Sequence, residues 1–136
     1  MAVGNTFGAT ALSSYGGFWL GTAIILTPGG FEIMETLEAE SPQPFLDSFG
    51  LYLIAWFIFT FLMMICTLRS TVAFFLLFFS LDLAFLMLGI AYLKHGGTGA
   101  PDPTCLKAGG GFGIIAAFVA WYVYIFSILH LTVHSL

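Results

Sequence analysis

One carboxylate in this sequence lies in the middle of an apolar segment. Asp82 is near the centre of residues 71–93, where almost every other side chain is hydrophobic. If this segment crosses a bilayer, a charge at that depth costs roughly 2.5–3.5 kcal/mol on insertion scales. Two interpretations stay open: a buried, protonated carboxyl bonded to a neighbouring hydroxyl or carbonyl, or a group that couples proton movement or gating. The aromatic residues expected at this depth on the last apolar segment are Trp121, Tyr122 and Tyr124.

The apolar segments contain no lysine or arginine, which limits the solutes that they could carry. The chain has three Lys+Arg against seven Asp+Glu, and Arg69 and Lys94 lie at the edges of apolar segments. A phosphate or sulfate would therefore meet hydroxyls, amide dipoles and aromatic edges but no compensating cation. We expect small, weakly charged solutes that move with a proton. The same charge balance provides no basic surface for nucleic acid.

Two apolar segments carry a stripe of small and polar side chains. At 100° per residue, the members of each stripe fall on one face of a helix. Such a face permits close helix packing in membranes and could also line a pore, and both interpretations stay open. The first stripe consists of Thr6, Thr10, Ser13, Gly17 and Gly21, and the second of Gly113, Ala117, Ala120, Tyr124 and Ser127.

No spacing of residues in the sequence is typical of an enzyme or a metal site. A nucleophile–base pair, a phosphate loop and a metal-ligand motif are all missing. The two cysteines, Cys66 and Cys105, fall in an apolar segment and in a polar loop, which argues against a disulfide framework. We therefore expect a protein that is not an enzyme and that needs no metal or cofactor.

The composition indicates lipid as the solvent for most of the chain. Of its 136 residues, 60% are hydrophobic and 7% are charged, whereas about a quarter of the residues in soluble domains are charged. A spanning helix takes roughly 20 apolar residues, and it satisfies its own backbone hydrogen bonds in lipid. We predict an all-α membrane protein, a single transmembrane domain over residues 1–136 that is a bundle of about four transmembrane helices. The predicted spans are residues 6–27, 51–68, 71–93 and 111–134, and the predicted loops are 28–50 and 94–110.

Residues 4–19, GNTFGATALSSYGGFW, resemble the signature of the acetate uptake transporter family. That family includes a bacterial succinate–acetate permease and fungal acetate and ammonia-export proteins. Residues 78–81 and 113–122 resemble its fifth and sixth helices, and the runs 82–85 and 120–122 are closer to its fungal branch. By this resemblance, the chain corresponds to helices three to six of a six-helix transporter protomer.

The resemblance implies transport of acetate and related short-chain monocarboxylates, in many members together with protons. Family members are thought to form hexameric rings, so the implied partners are acetate, protons, the bilayer of the plasma membrane and further copies of the chain. Tyr15 and Leu81 match two residues of an apolar constriction, and Ala120 matches a small residue that tunes substrate size. Asn5 and Thr6 belong to the signature near the cytoplasmic entrance.

The first two helices of the family have no counterpart in this chain. The resemblance therefore implies a truncated or short form, and a non-transporting membrane subunit is an alternative to a transporter. Export of ammonia or ammonium is a further alternative, because the family includes proteins of that kind. On an ideal helix Tyr15 points about 180° away from the first stripe. We interpret Tyr15 as facing the pathway and the stripe as a packing surface.

Overall fold

The computed structural model describes the backbone of residues 6–96 and 99–134 and the side chains of residues 6–96 and 99–126. These residues form helices and turns without any strand, and the all-α prediction is confirmed. The helices are α1 (Thr6–Leu26), α2 (Ile33–Glu38), α3 (Gln43–Cys66), α4 (Val72–Leu93) and α5 (Pro103–His134).

Four of these helices are long and apolar enough to cross a membrane. They are α1, α3, α4 and the part of α5 from Pro103 to Phe126. Large hydrophobic side chains are exposed on all four, for example Leu12, Ile58, Leu76 and Phe118. A surface of this kind is stable against lipid tails and unfavourable in water. The prediction of about four spans in an integral membrane protein is confirmed.

Two spanning helices begin earlier than the sequence analysis predicted. The second span begins at residue 43 rather than 51 and the fourth at 103 rather than 111, so each predicted loop, 28–50 and 94–110, loses eight residues to a helix. Each of these starts contains a proline, Pro44 or Pro103. Proline is accepted in the first turn of a helix because the N–H that it lacks has no partner there. The earlier start also places Lys107 on α5. It lies near the N-terminal end of this helix, where a lysine side chain can extend toward water.

Side-chain caps fix where α4 and α5 begin. The Thr71 hydroxyl accepts a hydrogen bond from the Phe74 amide at 3.3 Å. The Asp102 carboxylate accepts hydrogen bonds from the amides of Thr104 at 3.1 Å and Cys105 at 2.9 Å. Each cap satisfies amides that have no partner within the helix. Chiefly through the bond from the Cys105 amide, the pKa of Asp102 is lowered from its ordinary value of 3.8.

The chain divides into two compact units, and the boundary falls after Phe45 in the first turn of α3. The first unit contains α1 and α2, and α2 is a short helix within the predicted loop 28–50. On α1 the buried side chains are Ala11 and Phe18. That residues 1–136 form a single transmembrane domain stays a prediction.

In the second unit, α4 packs against both α3 and α5. A Cβ atom added to Gly50 of α3 would lie 2.8 Å from Leu93 Cγ, and one added to Gly89 of α4 would lie 2.6 Å from Ile54 Cδ1. One added to Gly109 of α5 would lie 2.8 Å from Cγ of Leu88 and 3.0 Å from its backbone nitrogen. Each glycine therefore leaves the space that a leucine or isoleucine of the neighbouring helix fills, as is typical of close packing in membranes.

The contacts also show that neighbouring helices of the second unit are antiparallel. Residues early in α3 meet residues late in α4: Phe49 contacts Tyr92 with ring centroids 4.9 Å apart, and Asp47 Oδ1 lies 3.1 Å from His95 Nε2 just beyond α4. The Asp102 amide donates to the Ala91 carbonyl at 2.8 Å, so α5 turns back along α4. This arrangement fixes which residues of the three helices lie level with each other.

Candidate functional site

Asp82 is buried within the second unit, with 5% of its surface exposed. Its Oδ1 atom is buried and has no hydrogen-bond partner among the residues that the structure describes. Leaving a buried polar atom without a partner costs roughly 1–3 kcal/mol, so such atoms are rare in native proteins and function is one reason for keeping them. The sequence analysis selected Asp82 for its position alone, and the geometry adds burial and an unused bonding position.

The face of α4 that carries Asp82 packs against α3. Gly89 and Leu93 lie about 20° from Asp82 around the helix, and both contact α3. Gly89 is level with Ile54, so Asp82, seven residues earlier, is level with residue 61 of the antiparallel helix. Beside that position is Thr60, which is 0% exposed. A buried threonine of α3 therefore lies close to the level of Asp82 along the two helices.

The prediction that Trp121, Tyr122 and Tyr124 of the last span lie at the depth of Asp82 is wrong. Leu88 is level with Gly109, so Asp82, six residues before Leu88, is level with Ile115. The side chains of the three aromatic residues are 72%, 60% and 67% exposed. Helical periodicity gave the face of α4 but not the helix that covers it. Because α5 begins eight residues earlier than predicted, its residues are shifted by about two turns relative to α4.

Leu81 and Ala120 lie on facing sides of the interface between α4 and α5. Leu81 is seven residues before Leu88, and Ala120 is eleven residues after Gly109, so each shares a helix face with a residue of that contact. Both side chains are half-buried. Leu81 is level with residue 116, which places Ala120 about 6 Å further along the helix axis. The structure thus brings these two residues to one interface, and their part in a substrate pathway stays a prediction.

The other predicted site residues belong to the first unit. Asn5 lies outside the described residues, Thr6 is exposed at the start of α1, and Tyr15 is half-buried. Tyr15 is thus on the covered side of α1, near Ala11 and Phe18. The pathway roles of Asn5, Thr6 and Tyr15 stay predictions.

The first stripe is exposed along most of its length. Thr6, Thr10, Ser13 and Gly17 are all exposed, and a Cβ on Gly17 would meet nothing within 4 Å. The hydroxyl of Thr10 donates to the Thr6 carbonyl at 2.9 Å, and that of Ser13 donates to the Ala9 carbonyl at 2.8 Å. These hydroxyl protons are satisfied within α1 and tolerate an apolar surrounding. Within the described chain, the stripe is not the packing surface that we expected.

The second stripe is only partly covered. Ala117 and Tyr124 are exposed, Gly113 and Ala120 are half-buried, and the Ser127 side chain lies outside the described residues. The side chain that is buried on this stretch of α5 is Ala116. Packing of α5 therefore uses Gly109 and Ala116 at the edge of the stripe rather than its centre.

Polar residues that the sequence analysis did not select lie at two places in the second unit. Thr60 is in the middle of an apolar run, and its hydroxyl is the only feature in the sequence that distinguishes it from its neighbours. Asp47 and His95 are 48 residues apart in the sequence, and only the α3–α4 pairing brings them to 3.1 Å. Among the side chains described, no group of three or more His, Cys, Asp or Glu residues is placed to hold a metal ion.

The chain matches a family model over nearly its whole length. The model describes the GPR1/FUN34/yaaH family and covers residues 1–133. Acetate permease A of Emericella nidulans is 64% identical over 124 residues, which are 90% of this chain and 42% of that protein. The Succinate-acetate/proton symporter SatP of Escherichia coli is 36% identical over 121 residues, 88% of this chain and 57% of that protein.

A third relative carries a different name. Ammonia transport outward protein 2 of Saccharomyces cerevisiae is 43% identical over 122 residues, 90% of this chain and 40% of that protein. The chain thus spans about two fifths of the fungal relatives and somewhat more than half of the bacterial one. No solved structure matches it.

Proposed function

Because the chain belongs to the GPR1/FUN34/yaaH family, we propose that it transports acetate and related short-chain monocarboxylates across a membrane together with protons. The observation that carries this proposal is the 64% identity to a protein named as an acetate permease. The name of the bacterial relative includes both acetate and a proton. The plasma membrane is the membrane in which we propose that it acts.

The physical chemistry of the spans supports a solute of this class. Their central parts contain no lysine or arginine, so a carboxylate crossing them is stabilised only by dipoles unless a proton accompanies it. A short-chain acid with a proton is neutral and small. In this proposal Tyr15 and Leu81 form part of an apolar constriction, Ala120 limits substrate size, and Asn5 and Thr6 lie at the entrance. Asp82 holds the coupled proton.

Uptake of radiolabelled acetate by cells that lack other acetate carriers tests the proposal. Cells that express the chain should take up acetate faster than cells with an empty vector. An agent that collapses the proton gradient across the membrane should remove this difference. Expression must first be confirmed in the membrane fraction. If the protein is present there and uptake equals that of the empty vector, acetate transport by this chain is contradicted.

Export of ammonia or ammonium is the second candidate function. It is favoured by the relatives named as ammonia transport outward proteins, which are 43% and 38% identical to this chain. Ammonia is also small and neutral, and the cation-free spans suit it equally. Ammonium release and acetate uptake are measured in the same cells. If the chain increases ammonium release while acetate uptake stays at background, ammonia or ammonium export is favoured over acetate transport.

A non-transporting membrane subunit is the remaining alternative, and co-expression with a full-length relative separates it from a transporter. A subunit should leave acetate uptake at background when expressed alone and change the uptake of the relative.

We also propose a homo-oligomer, a hexamer by family resemblance. Native mass spectrometry of the chain released from lipid nanodiscs should then give six times the 14.7 kDa mass of one copy, and a monomer peak alone contradicts it.

A further inference from the structure

We propose that Thr60 is a positioning residue for a proton held on Asp82, so that the packed surfaces of α3 and α4 form a proton-binding layer. The starting observation is that Asp82 is more than nine-tenths buried with Oδ1 unpartnered among the described residues. Thr60 is the buried polar side chain of α3 that lies level with it. The part of this proposal that concerns transport rests on the proposed function, whereas the part that concerns the proton does not.

The packing of α3 and α4 places both residues on the facing sides of the two helices. Around α3, Thr60 lies about 20° from Phe49 and 40° from Trp56. These two rings contact Tyr92 and Phe85 of α4, with centroids 4.9 and 6.4 Å apart. Thr60 is therefore on the face of α3 that α4 covers, as Asp82 is on the face of α4 that α3 covers.

The two side chains have complementary hydrogen-bonding capacity. A protonated carboxyl has one O–H donor, and a threonine hydroxyl has one donor and two acceptor positions. A hydroxyl that already donates to a backbone carbonyl nearby in the chain can still accept a second hydrogen bond. The Thr67 hydroxyl makes a local bond of this kind, to the Met64 carbonyl at 2.7 Å. Thr60 can therefore accept the O–H of protonated Asp82. On release, that proton passes to water or to the carboxylate of the solute, and the O–H bond to Asp82 breaks.

No charged side chain among the described residues of the second unit lies near this layer. Within two turns of the level of Asp82, residues 54–68 and 108–122 contain no Asp, Glu, Lys, Arg or His, and α4 has none besides Asp82 itself. The titratable side chains in these stretches are Cys66 and Tyr122, and both are exposed. The sequence of α1 also contains no Asp, Glu, Lys, Arg or His. A proton at this level therefore resides on Asp82.

Infrared difference spectroscopy of the full chain in lipid bilayers tests the proton-binding layer directly. A protonated carboxyl gives a carbonyl stretching band, which is assigned to Asp82 by its loss in Asp82→Asn. Thr60→Val removes the hydroxyl at nearly constant volume and should shift this band, whereas Thr60→Ser should leave it close to the native position. Thr67→Val is the matched control, because Thr67 is also a buried threonine but lies one residue after the end of α3, about 10 Å from Thr60.

The infrared results decide the proposal whether or not the chain transports acetate. A band that Thr60→Val shifts and Thr67→Val leaves in place supports it, even if acetate uptake is at background and the proposed function fails. A band that Thr60→Val leaves in place overturns the role of Thr60. If no carboxyl band disappears in Asp82→Asn, the proton site itself is overturned.

Where acetate uptake is observed, its pH profile provides a second readout. Loss of one hydrogen bond to the protonated form should move the midpoint of the profile to lower pH by about one unit in Thr60→Val. Thr60→Ser should restore the native midpoint. A lower rate at an unchanged midpoint means that Thr60 only supports the packing of the helices, and this result contradicts the proposal.

Discussion

At the scale of single residues, two buried polar side chains of the second unit differ in their hydrogen bonding. The Thr67 hydroxyl, one residue after the end of α3, donates to the Met64 carbonyl at 2.7 Å. The Asp82 carboxyl keeps an unpartnered oxygen among the described residues, on a helix face that is otherwise apolar. A residue whose burial is costly and whose bonding is incomplete is a reasonable candidate for function rather than stability.

We expect Asp82→Asn to abolish the proton dependence of acetate uptake. Asparagine has nearly the same shape but does not titrate, so the uptake above that of empty-vector cells should no longer change between pH 5 and pH 8. Glu38→Gln is the control, because Glu38 is an exposed acid on α2 and its replacement should keep the native profile. A native pH profile in Asp82→Asn would mean that this carboxyl is structural.

We expect Leu81→Ala to widen the range of monocarboxylates that are transported. A shorter side chain at an apolar constriction should raise butyrate uptake relative to acetate by about tenfold or more, since one methylene in an apolar pocket is worth roughly 1–3 kcal/mol. Leu76→Ala changes an exposed leucine of the same helix and serves as the control. The measurement is competition between labelled acetate and unlabelled butyrate. An unchanged ratio in Leu81→Ala would remove Leu81 from the pathway.

At the scale of elements, the helices of the second unit are held together by glycines that accept a neighbouring side chain. Gly109 makes the shortest backbone contact of the three, because an added Cβ would lie 3.0 Å from the backbone nitrogen of Leu88 as well as close to its side chain. A leucine side chain can rotate away, but a backbone atom moves only with its helix. The α4–α5 contact therefore depends on the absence of a side chain at this position.

We expect Gly109→Ala to destabilise the protein by about 1–3 kcal/mol, as overpacking of a close contact does. Gly110→Ala is a matched control one residue away, because a Cβ there meets nothing within 4 Å. Alanine also favours the helix by about 1 kcal/mol over glycine, so Gly110→Ala should be neutral or stabilising. Thermal unfolding of both variants in the same detergent gives the comparison. Equal melting temperatures would contradict the close packing of α4 and α5.

We expect the Asp102 cap of α5 to weaken on acidification. The bond from the Cys105 amide lowers the pKa of Asp102 in the folded protein, so the cap contributes stability above the ordinary pKa of 3.8 and loses it as the pH falls through the lower folded value. Asp102→Asn should keep most of the stability at neutral pH and lose this acid dependence, because asparagine caps without titrating. Melting temperatures at pH 7 and pH 3 measure the effect. The same acid dependence in both proteins would assign it to another group.

Particular elements also show what the sequence could and could not predict. The four spans were predictable because a bilayer selects on length and hydrophobicity, which are read directly from the residues. The starts of α3 and α5 were misplaced because Pro44 and Pro103 were interpreted as loop residues, and proline is equally suited to a first helical turn. The neighbour of Asp82 was missed because the periodicity of α4 gives its faces but not which helix covers each of them.

At the scale of the whole molecule, the composition and the family relationship lead to the same class of function. The chain presents apolar helices with cation-free centres, and it belongs to a family whose members include proteins named as acetate permeases and symporters. It spans 42% of one such fungal relative, so activity of these helices in isolation is the central proposal to be tested. Acetate itself complicates that test, because its neutral acid crosses lipid without a protein.

Acetate flux into liposomes that contain the purified chain is the most direct measurement of that proposal. At neutral pH little of the acid is in its neutral form, so flux into protein-free liposomes is at its lowest. An inward proton gradient should then drive labelled acetate into liposomes with the native chain well above the protein-free level, and Asp82→Asn should lose the response to the gradient. Equal flux with and without the native chain, at a protein content verified in the same vesicles, would contradict transport by these four helices.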